Sequence, residues 1–207
     1  MKKILIILVL LLVGFPVSAY EYKSLGIRFD LPDDFLVLTQ TTYKQIHNLQ
    51  KSRQIEEMDF NYIESILNKL NELTSSNVDF EMEYFVYDPF LILPGPNFFE
   101  NFSIMRVKNK YIKINVDESC KSTKQQEQNI WGDNYLGMME CKGSSIPSNG
   151  KSRIYHRSGM KVFGETHQVM IYVFHLNDSL YTVSLGCRKR YCDDLSYKFN
   201  NIVASMR

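Results

Sequence analysis

The residues best suited to chemistry in this sequence are one glycine-lysine-serine run and four histidines. The run, at residues 145–152, ends like a phosphate-binding P-loop, but Ser145 stands where that motif needs its first glycine. A P-loop must also lead into a helix whose amides cradle the phosphate. The residues that follow this run have the character of a strand, so we expect no nucleotide site here.

The histidines are His47, His156, His167 and His175. His167 and His175 would lie roughly 26 Å apart in one extended strand, which is too far to share a metal ion. The sequence also has no Gly-x-Ser-x-Gly elbow, His-Glu-x-x-His pair or Gly-x-Gly-x-x-Gly loop. We therefore predict no metal site, no cofactor and no catalytic residue. A hydrolase whose residues converge only in three dimensions is the alternative.

The four cysteines are expected to form two disulfides rather than a zinc site. They lack the two short Cys-x-x-Cys knuckles typical of zinc ligands. Three pairings are open to four cysteines, and we favour the local one, Cys120–Cys141 with Cys187–Cys192. The second pair would close a tight loop between a strand and a helix.

Disulfides fit an exported protein, and the start of the 207-residue chain is typical of one. Two lysines precede an apolar run, and Pro16 and Ala19 mark the end of a signal peptide over residues 1–19. Its removal leaves 22 basic and 23 acidic residues, a net charge of −1. This balance argues against nucleic-acid binding. We predict a periplasmic or secreted protein with a single domain over residues 20–207.

Two segments are candidate contact surfaces for a partner. Residues 88–99 combine three prolines and a glycine with large apolar side chains, which suits either a buried loop or an exposed binding loop. A basic run near the second disulfide could dock an acidic partner or anionic lipid, although a solvated turn is the plainer interpretation. The predicted partner-binding residues are Phe90, Leu91, Ile92, Leu93, Phe98, Phe99, Arg188, Lys189 and Arg190.

These residues must be positioned by an α+β fold. Two runs of apolar, β-branched and aromatic residues, at 169–174 and 180–185, flank Leu176, Asn177 and Asp178 and predict a core hairpin. Apolar residues at helical spacing predict helices over residues 39–74 and 193–206, the second capped by Asp193 or Asp194. Three further hairpins are predicted: an opening one over residues 24–31 and 35–38, one over 102–107 and 111–116, and a short one over 153–158 and 160–163. Single strands are predicted over residues 78–87 and 135–139. Residues 117–151 are expected to be a polar excursion.

The opening Gly26-Ile27-Arg28-Phe29-Asp30-Leu31-Pro32-Asp33-Asp34-Phe35 and the closing hairpin and helix resemble PsbP-like domains. Residues 22–38 and 165–207 carry this resemblance, with a weaker echo at 101–107. It implies an antiparallel sheet flanked by helices, an α/β/α sandwich, and an adaptor or binding role without a shared catalytic site. The chain departs from the family pattern in its four cysteines, its polar excursion and its apolar proline-rich loop.

Together these features predict an exported, non-enzymatic interaction protein of the cell envelope. Its partner would be a protein or an envelope component, and peripheral membrane contact is an alternative. An inhibitor of an exported toxin is one specialised form of this prediction. A hydrolase would instead need a concave site with a nucleophile and a base within hydrogen-bond reach.

Overall fold

The computed structural model describes residues 20–22, 25–33, 35–39, 44, 68, 80–87, 100–108, 114–162 and 164–207. The predicted signal peptide, almost all of the predicted helix over residues 39–74 and the apolar segment over residues 90–99 lie outside these residues. The strands of the described part are β1 Tyr20–Tyr22, β2 Ile27–Phe29, β3 Phe35–Val37, β4 Phe80–Tyr87, β5 Asn101–Val107, β6 Tyr135–Gly143, β7 Lys151–Val162, β8 Glu165–Leu176 and β9 Ser179–Arg188, and its helices are α1 Val116–Trp131 and α2 Cys192–Ser205.

Seven of these strands form one antiparallel sheet in the order β3-β4-β5-β9-β8-β7-β6, and β1 pairs with β2 separately. The long β8–β9 hairpin lies at the centre of this sheet. Asn177 and Asp178 form its two-residue turn, with φ angles of 49° and 58°. Both angles are positive, as a type I′ turn requires, and this turn matches the twist of the strands it joins. The predicted core hairpin is confirmed.

The hydrophobic core fills one face of the sheet, beneath α2. Leu195, Phe199, Ile202 and Val203 follow the helical spacing of α2 and are all buried. The Tyr172 hydroxyl of β8 donates to Asn200 Oδ1 at 2.8 Å, which fixes the helix on the sheet. The predicted cap differs, because Tyr191 is the N-cap and makes no side-chain capping bond, while Asp193 and Asp194 lie in the first turn. There they are still favourable at the positive end of the helix dipole.

The predicted opening hairpin is wrong in its pairing. β2 pairs with the preceding β1, and β3 pairs with β4 at the edge of the large sheet. The C-terminus explains why β2 does not join β3, because Arg28 exchanges backbone hydrogen bonds of 2.9 and 3.0 Å with Arg207. A strand held on the chain end cannot also continue into the sheet edge.

The second face of the sheet carries α1, so the sheet has a helix on each side. Directly paired residues of antiparallel strands share a face. His156 therefore shares one face with Ile171, and Tyr172 shares the opposite face with Tyr155 and Val183. His156 contacts α1, whereas Tyr172 contacts α2. The Cys120–Cys141 disulfide ties α1 to β6, and Cys187–Cys192 ties the end of β9 to α2. Both predicted pairings are confirmed, and they rule out a zinc site built from these cysteines.

Three other predicted elements are corrected. The predicted strand over residues 111–116 is wrong at its end, because Asn115 is the N-cap of α1. Its Oδ1 accepts a hydrogen bond from the Asp117 amide at 3.1 Å. Most of the predicted polar excursion is α1 and the long strand β6. The short hairpin across Gly159 is one continuous strand, β7, in which Gly159 pairs with Gly137 and Gln168. Within the described residues, no helix is both long enough and apolar enough to cross a bilayer.

Candidate functional site

A buried ion pair joins Glu100, the residue before β5, to Arg188 at the end of β9. Arg188 donates from Nε to Glu100 Oε1 at 2.7 Å and from Nη2 to Oε2 at 3.0 Å. The two side chains are only 4% and 7% exposed. Burial by itself lowers the pKa of Arg188, but the hydrogen bonds and negative charge of Glu100 raise it above its ordinary value. The pair is therefore a fixed structural contact.

This burial corrects the predicted basic surface. Arg188 points into the protein, so Lys189 and Arg190 alone remain exposed from the run of three. The guanidinium groups of Arg188 and Arg190 each lie 4.9 Å from the centre of the Tyr191 ring. The turn is fixed by its backbone, because the Lys189 amide donates to the Thr166 carbonyl and the Tyr191 amide to that of Arg188, both at 2.9 Å. Two cations and an aromatic ring thus stand on a rigid turn.

The same ion pair places the residue that follows the apolar segment beside the basic turn. Glu100 directly follows Phe99, the last residue of the apolar segment. Val86 near the end of β4 pairs with Asn101 at the start of β5, and Asn101 pairs with Gly186 of β9. In the described part of the chain, β4 therefore ends at Tyr87 and Glu100 lies beside the basic turn. The predicted contact residues Phe90, Leu91, Ile92, Leu93, Phe98 and Phe99 themselves lie outside the described residues.

A second polar cluster lies between α1 and the sheet, around Glu127. Its carboxylate accepts from the Ser158 hydroxyl at 2.5 Å and from the Tyr135 hydroxyl at 3.3 Å. His156 Nε2 lies 3.4 Å from the other carboxylate oxygen, a close contact rather than a well-formed hydrogen bond. Burial raises the pKa of Glu127, but the neighbouring His156 and Ser158 outweigh it and lower that pKa below 4.5. Glu127 is therefore ionised at neutral pH.

This cluster contains a serine, a histidine and an acid, but not in a catalytic arrangement. The Ser158 hydroxyl donates to Glu127 rather than to His156, and Ser158 is fully buried. A serine nucleophile needs the histidine as its base and must be reachable by substrate. A cleft of about 380 Å³ does lie beside His156, between α1 and strands β7 to β9. Its α1 wall presents the carboxylate of Glu118 and the hydroxyl side chains of Ser119, Ser122 and Thr123. Among the described residues, no hydrogen bond joins any of these groups to His156, so no nucleophile is paired with a base there.

The remaining sequence candidates are placed without forming a site. His167 and His175 are both buried in β8, and His47 lies outside the described residues. In the described ranges no three His, Cys, Asp or Glu side chains are grouped to hold a metal ion. The P-loop-like run is a loop that leads into β7, not into a helix, so it cannot present helix amides to a phosphate.

Sequence reasoning missed both Glu127 and Glu100. Glu127 could have been found, because Ser119, Thr123 and Glu127 recur every four residues once a helix is assumed. That stripe is polar, so it carries none of the apolar periodicity used to recognise helices. Glu100 gives no local signal, since its partner Arg188 is 88 residues away.

No family model matches the sequence, and no curated protein matches it significantly. Similar solved structures include cyanobacterial PsbP (CyanoP) from Synechocystis sp. PCC 6803, with 10% identity, a TM-score of 0.48 and coverage of 94% of both chains. The Ran-binding protein Mog1p of Saccharomyces cerevisiae is 7% identical with a TM-score of 0.49, covering 94% of this chain and 96% of its own. LpqN of Mycobacterium tuberculosis, described as involved in cell envelope biogenesis, is 11% identical with a TM-score of 0.44. The match covers 94% of this chain and 86% of LpqN.

At these identities and at TM-scores below 0.5, no family, activity or partner follows from the similarity. The matching structures include PsbP, whose family the opening and closing segments resemble. The chain itself has an α+β fold, with an antiparallel sheet, a helix on each face and two disulfides.

Proposed function

We propose that this chain is an exported, non-enzymatic interaction module that binds an acidic protein partner in the cell envelope. The proposed binding surface combines residues 90–99 with the turn at Lys189 and Arg190. The buried Glu100–Arg188 pair is the observation that carries this proposal. It holds Glu100, the residue after Phe99, against Arg188, the residue before Lys189.

The chemistry of this end suits protein recognition. Lys189 and Arg190 provide exposed positive charge on a turn held by two backbone hydrogen bonds, and Tyr191 provides a ring that is 39% exposed. Arginine and tyrosine are enriched where protein interfaces concentrate their binding energy. A rigid turn loses little conformational entropy on binding, which favours affinity. The apolar side chains of residues 90–99 would add the desolvated centre of such an interface.

Export is supported by the two disulfides, because such bonds persist in oxidising compartments. The predicted signal peptide over residues 1–19 and the periplasmic or secreted location belong to the same proposal. Inhibition of an exported toxin remains one form that the interaction could take. The hydrolase alternative gains nothing from the Glu127 cluster, whose serine is buried and faces the acid.

The test is affinity capture from a native envelope extract with the oxidised chain and two charge-reversed variants. Lys189→Glu with Arg190→Glu reverses the basic turn, and Lys121→Glu with Lys124→Glu makes the same charge change on the exposed side of α1. A third variant, with Phe90→Ser, Leu91→Ser and Phe98→Ser, tests the apolar segment. Each recovered protein is then purified and its affinity for all four forms is measured directly.

We expect the turn variant to lose about tenfold or more in affinity, equivalent to about 1.4 kcal/mol, and the α1 variant to bind like the parent. Equal binding by all folded forms would refute the proposed surface. Sedimentation with phosphatidylglycerol vesicles distinguishes a membrane partner, since binding to vesicles without any captured protein would replace the protein-binding proposal with a lipid one. Unfolding of the apolar variant would show that residues 90–99 belong to the core.

A further inference from the structure

The two disulfides differ sharply in their surroundings. Cys187 and Cys192 are both 0% exposed and belong to the hydrophobic core beneath α2. Cys120 and Cys141 are only half-buried, at the boundary between α1 and the edge strand β6. A thiolate attacks a disulfide along the S–S axis and must reach the sulfur, so access controls the rate of exchange. The Cys120–Cys141 bond is therefore the more accessible of the two to attack, while Cys187–Cys192 is protected by burial.

Within the described part of the chain, the helix that the accessible disulfide holds has no buried apolar side chain to anchor it. Of the 16 residues of α1, Glu127 alone is buried, and no apolar side chain of the helix is. By contrast, α2 buries five residues, including Leu195, Phe199, Ile202 and Val203. Most helical stability in proteins comes from packing an apolar face, which α1 does not have. Its attachment rests on the disulfide and on the polar contacts of Glu127.

The ends of α1 also allow it to separate as a unit. Its N-terminus is capped locally by Asn115, and it ends at Gly132, which has a φ of 50°. Neither terminus is inserted into the core, and β6 continues to be held by β7 along Tyr135–Gly143. Loss of the disulfide would therefore release the helix without removing a strand from the sheet.

We propose that Cys120–Cys141 is a thiol–disulfide exchange site for a dithiol reductant, and that its reduction releases α1 from the second face of the sheet. One thiolate of the dithiol attacks a sulfur of the bridge, forming a mixed disulfide, and the other cysteine leaves as a thiolate and takes up a proton. The second thiol of the reductant then attacks the reductant's own sulfur in the mixed disulfide. The protein cysteine leaves as a thiolate and also takes up a proton. Two electrons and two protons pass to Cys120 and Cys141, and the reductant departs as a disulfide.

Release of α1 changes what the protein exposes. The helix covers Ser158 and His156 and forms one wall of the 380 Å³ cleft. Without it, these polar groups and the β6–β7 end of the sheet face solvent. The core beneath α2, with its own protected disulfide, stays intact. The exchange site therefore controls one face of the domain and leaves the proposed partner surface at the end of the sheet unchanged.

The experiment titrates the full oxidised chain with dithiothreitol, traps free thiols with N-ethylmaleimide and locates them by peptide mass spectrometry. We expect Cys120 and Cys141 to be labelled at dithiothreitol concentrations about tenfold lower than Cys187 and Cys192 require. At that point, hydrogen–deuterium exchange should accelerate about tenfold or more in residues 116–131 and stay unchanged in residues 192–205. Circular dichroism should retain the signal of the sheet.

The proposal is overturned if all four cysteines become reactive together, or if selective reduction leaves the exchange of residues 116–131 unchanged. Loss of the whole fold on selective reduction would also overturn it, since α1 would then not be separable. A Cys120→Ser, Cys141→Ser variant provides a second measurement, and its exchange pattern should match that of the selectively reduced parent. Because the parent chain itself is measured, the result does not depend on whether this variant folds.

Discussion

Replacement of Glu100 by glutamine tests the buried ion pair most directly. Glutamine keeps the shape of the side chain but removes the charge that faces Arg188, which is 3% exposed. Arg188 cannot lose its proton, so it is left as a buried cation. Its nearest other acid, Glu165, is 4.0 Å away and half exposed, too distant to replace the bonds of 2.7 and 3.0 Å.

Breaking a buried pair by removing one partner costs about 3–5 kcal/mol. For a domain of this size, each kcal/mol lowers Tm by about 2–4 °C, so Glu100→Gln should lower Tm by about 6–20 °C. The assay is urea and thermal unfolding of the parent, of Glu100→Gln, and of a double variant with Glu100→Met and Arg188→Met. We expect the double variant to recover most of the lost stability, since exchange of a buried pair for apolar residues is often neutral.

A loss below about 1 kcal/mol for Glu100→Gln would refute this reasoning, because it would mean that water reaches the pair and screens Arg188. A double variant as unstable as the single one would show that the site needs polar groups for another reason. If the pair orients the partner surface, the folded double variant should still bind its partner less well than the parent.

Three further predictions concern other parts of the fold. Glu127→Gln should lose about 1–3 kcal/mol of unfolding free energy at neutral pH. It should also be less sensitive to acid than the parent, because the pKa of Glu127 is lowered below 4.5 in the folded protein. The stability that this carboxylate gives is therefore present above pH 4.5 and is lost as the pH falls through the lowered pKa. Urea unfolding near pH 7 and pH 3 measures this, and parallel pH curves would contradict it. Gly159→Ala should cost under about 1 kcal/mol, since its Cβ would crowd the flexible end of exposed Met139 at 2.9 Å and would meet Leu136 at an ordinary contact distance of 3.4 Å. Gly150→Ala should cost about 1–3 kcal/mol, since its Cβ would meet buried Pro147 at 3.1 Å and buried Phe174 at 3.4 Å. Equal losses in thermal unfolding would refute this contrast. Phe199→Ala should lose about 3–5 kcal/mol of unfolding free energy because its ring is 1% exposed in the core beneath α2, and a loss below about 1 kcal/mol would mean that α2 is not anchored there.

The elements that were predicted correctly carry their information locally. The β8–β9 hairpin has alternating apolar residues on both sides of Asn177 and Asp178, and α2 has an apolar stripe at helical spacing. The disulfides also join cysteines that are close in sequence, and the local pairing was the one favoured among three. Each of these signals is local in sequence, where periodicity and turn chemistry decide the structure.

Strand pairing could not be read in the same way. Residues 24–31 and 35–38 look like a hairpin because a turn separates two apolar runs, yet β2 bonds to Arg207 and β3 to β4. The choice between partners depends on which pairing buries more of Phe29 and Phe35. Phe29 packs on Phe85 and Phe35 on Phe102, with ring centres 5.7 and 5.1 Å apart, and both partners are far away in sequence. Local alternation of apolar and polar residues predicts a strand, but it does not identify the strand with which it pairs.

The helix α1 shows how a covalent bond can replace the signal that a sequence usually gives. Its inward stripe holds Ser119, Thr123 and Glu127, residues that gain little free energy from burial and give no apolar period. A helix with such a stripe should not remain on a sheet by packing alone. The Cys120–Cys141 bond removes part of the entropy of the unfolded chain, about 3 kcal/mol for a loop of this size, and so holds the helix where packing does not. Because a disulfide takes the place of apolar packing here, the position of α1 depends on the redox state of one accessible bond. The core helix α2 does not depend on that bond.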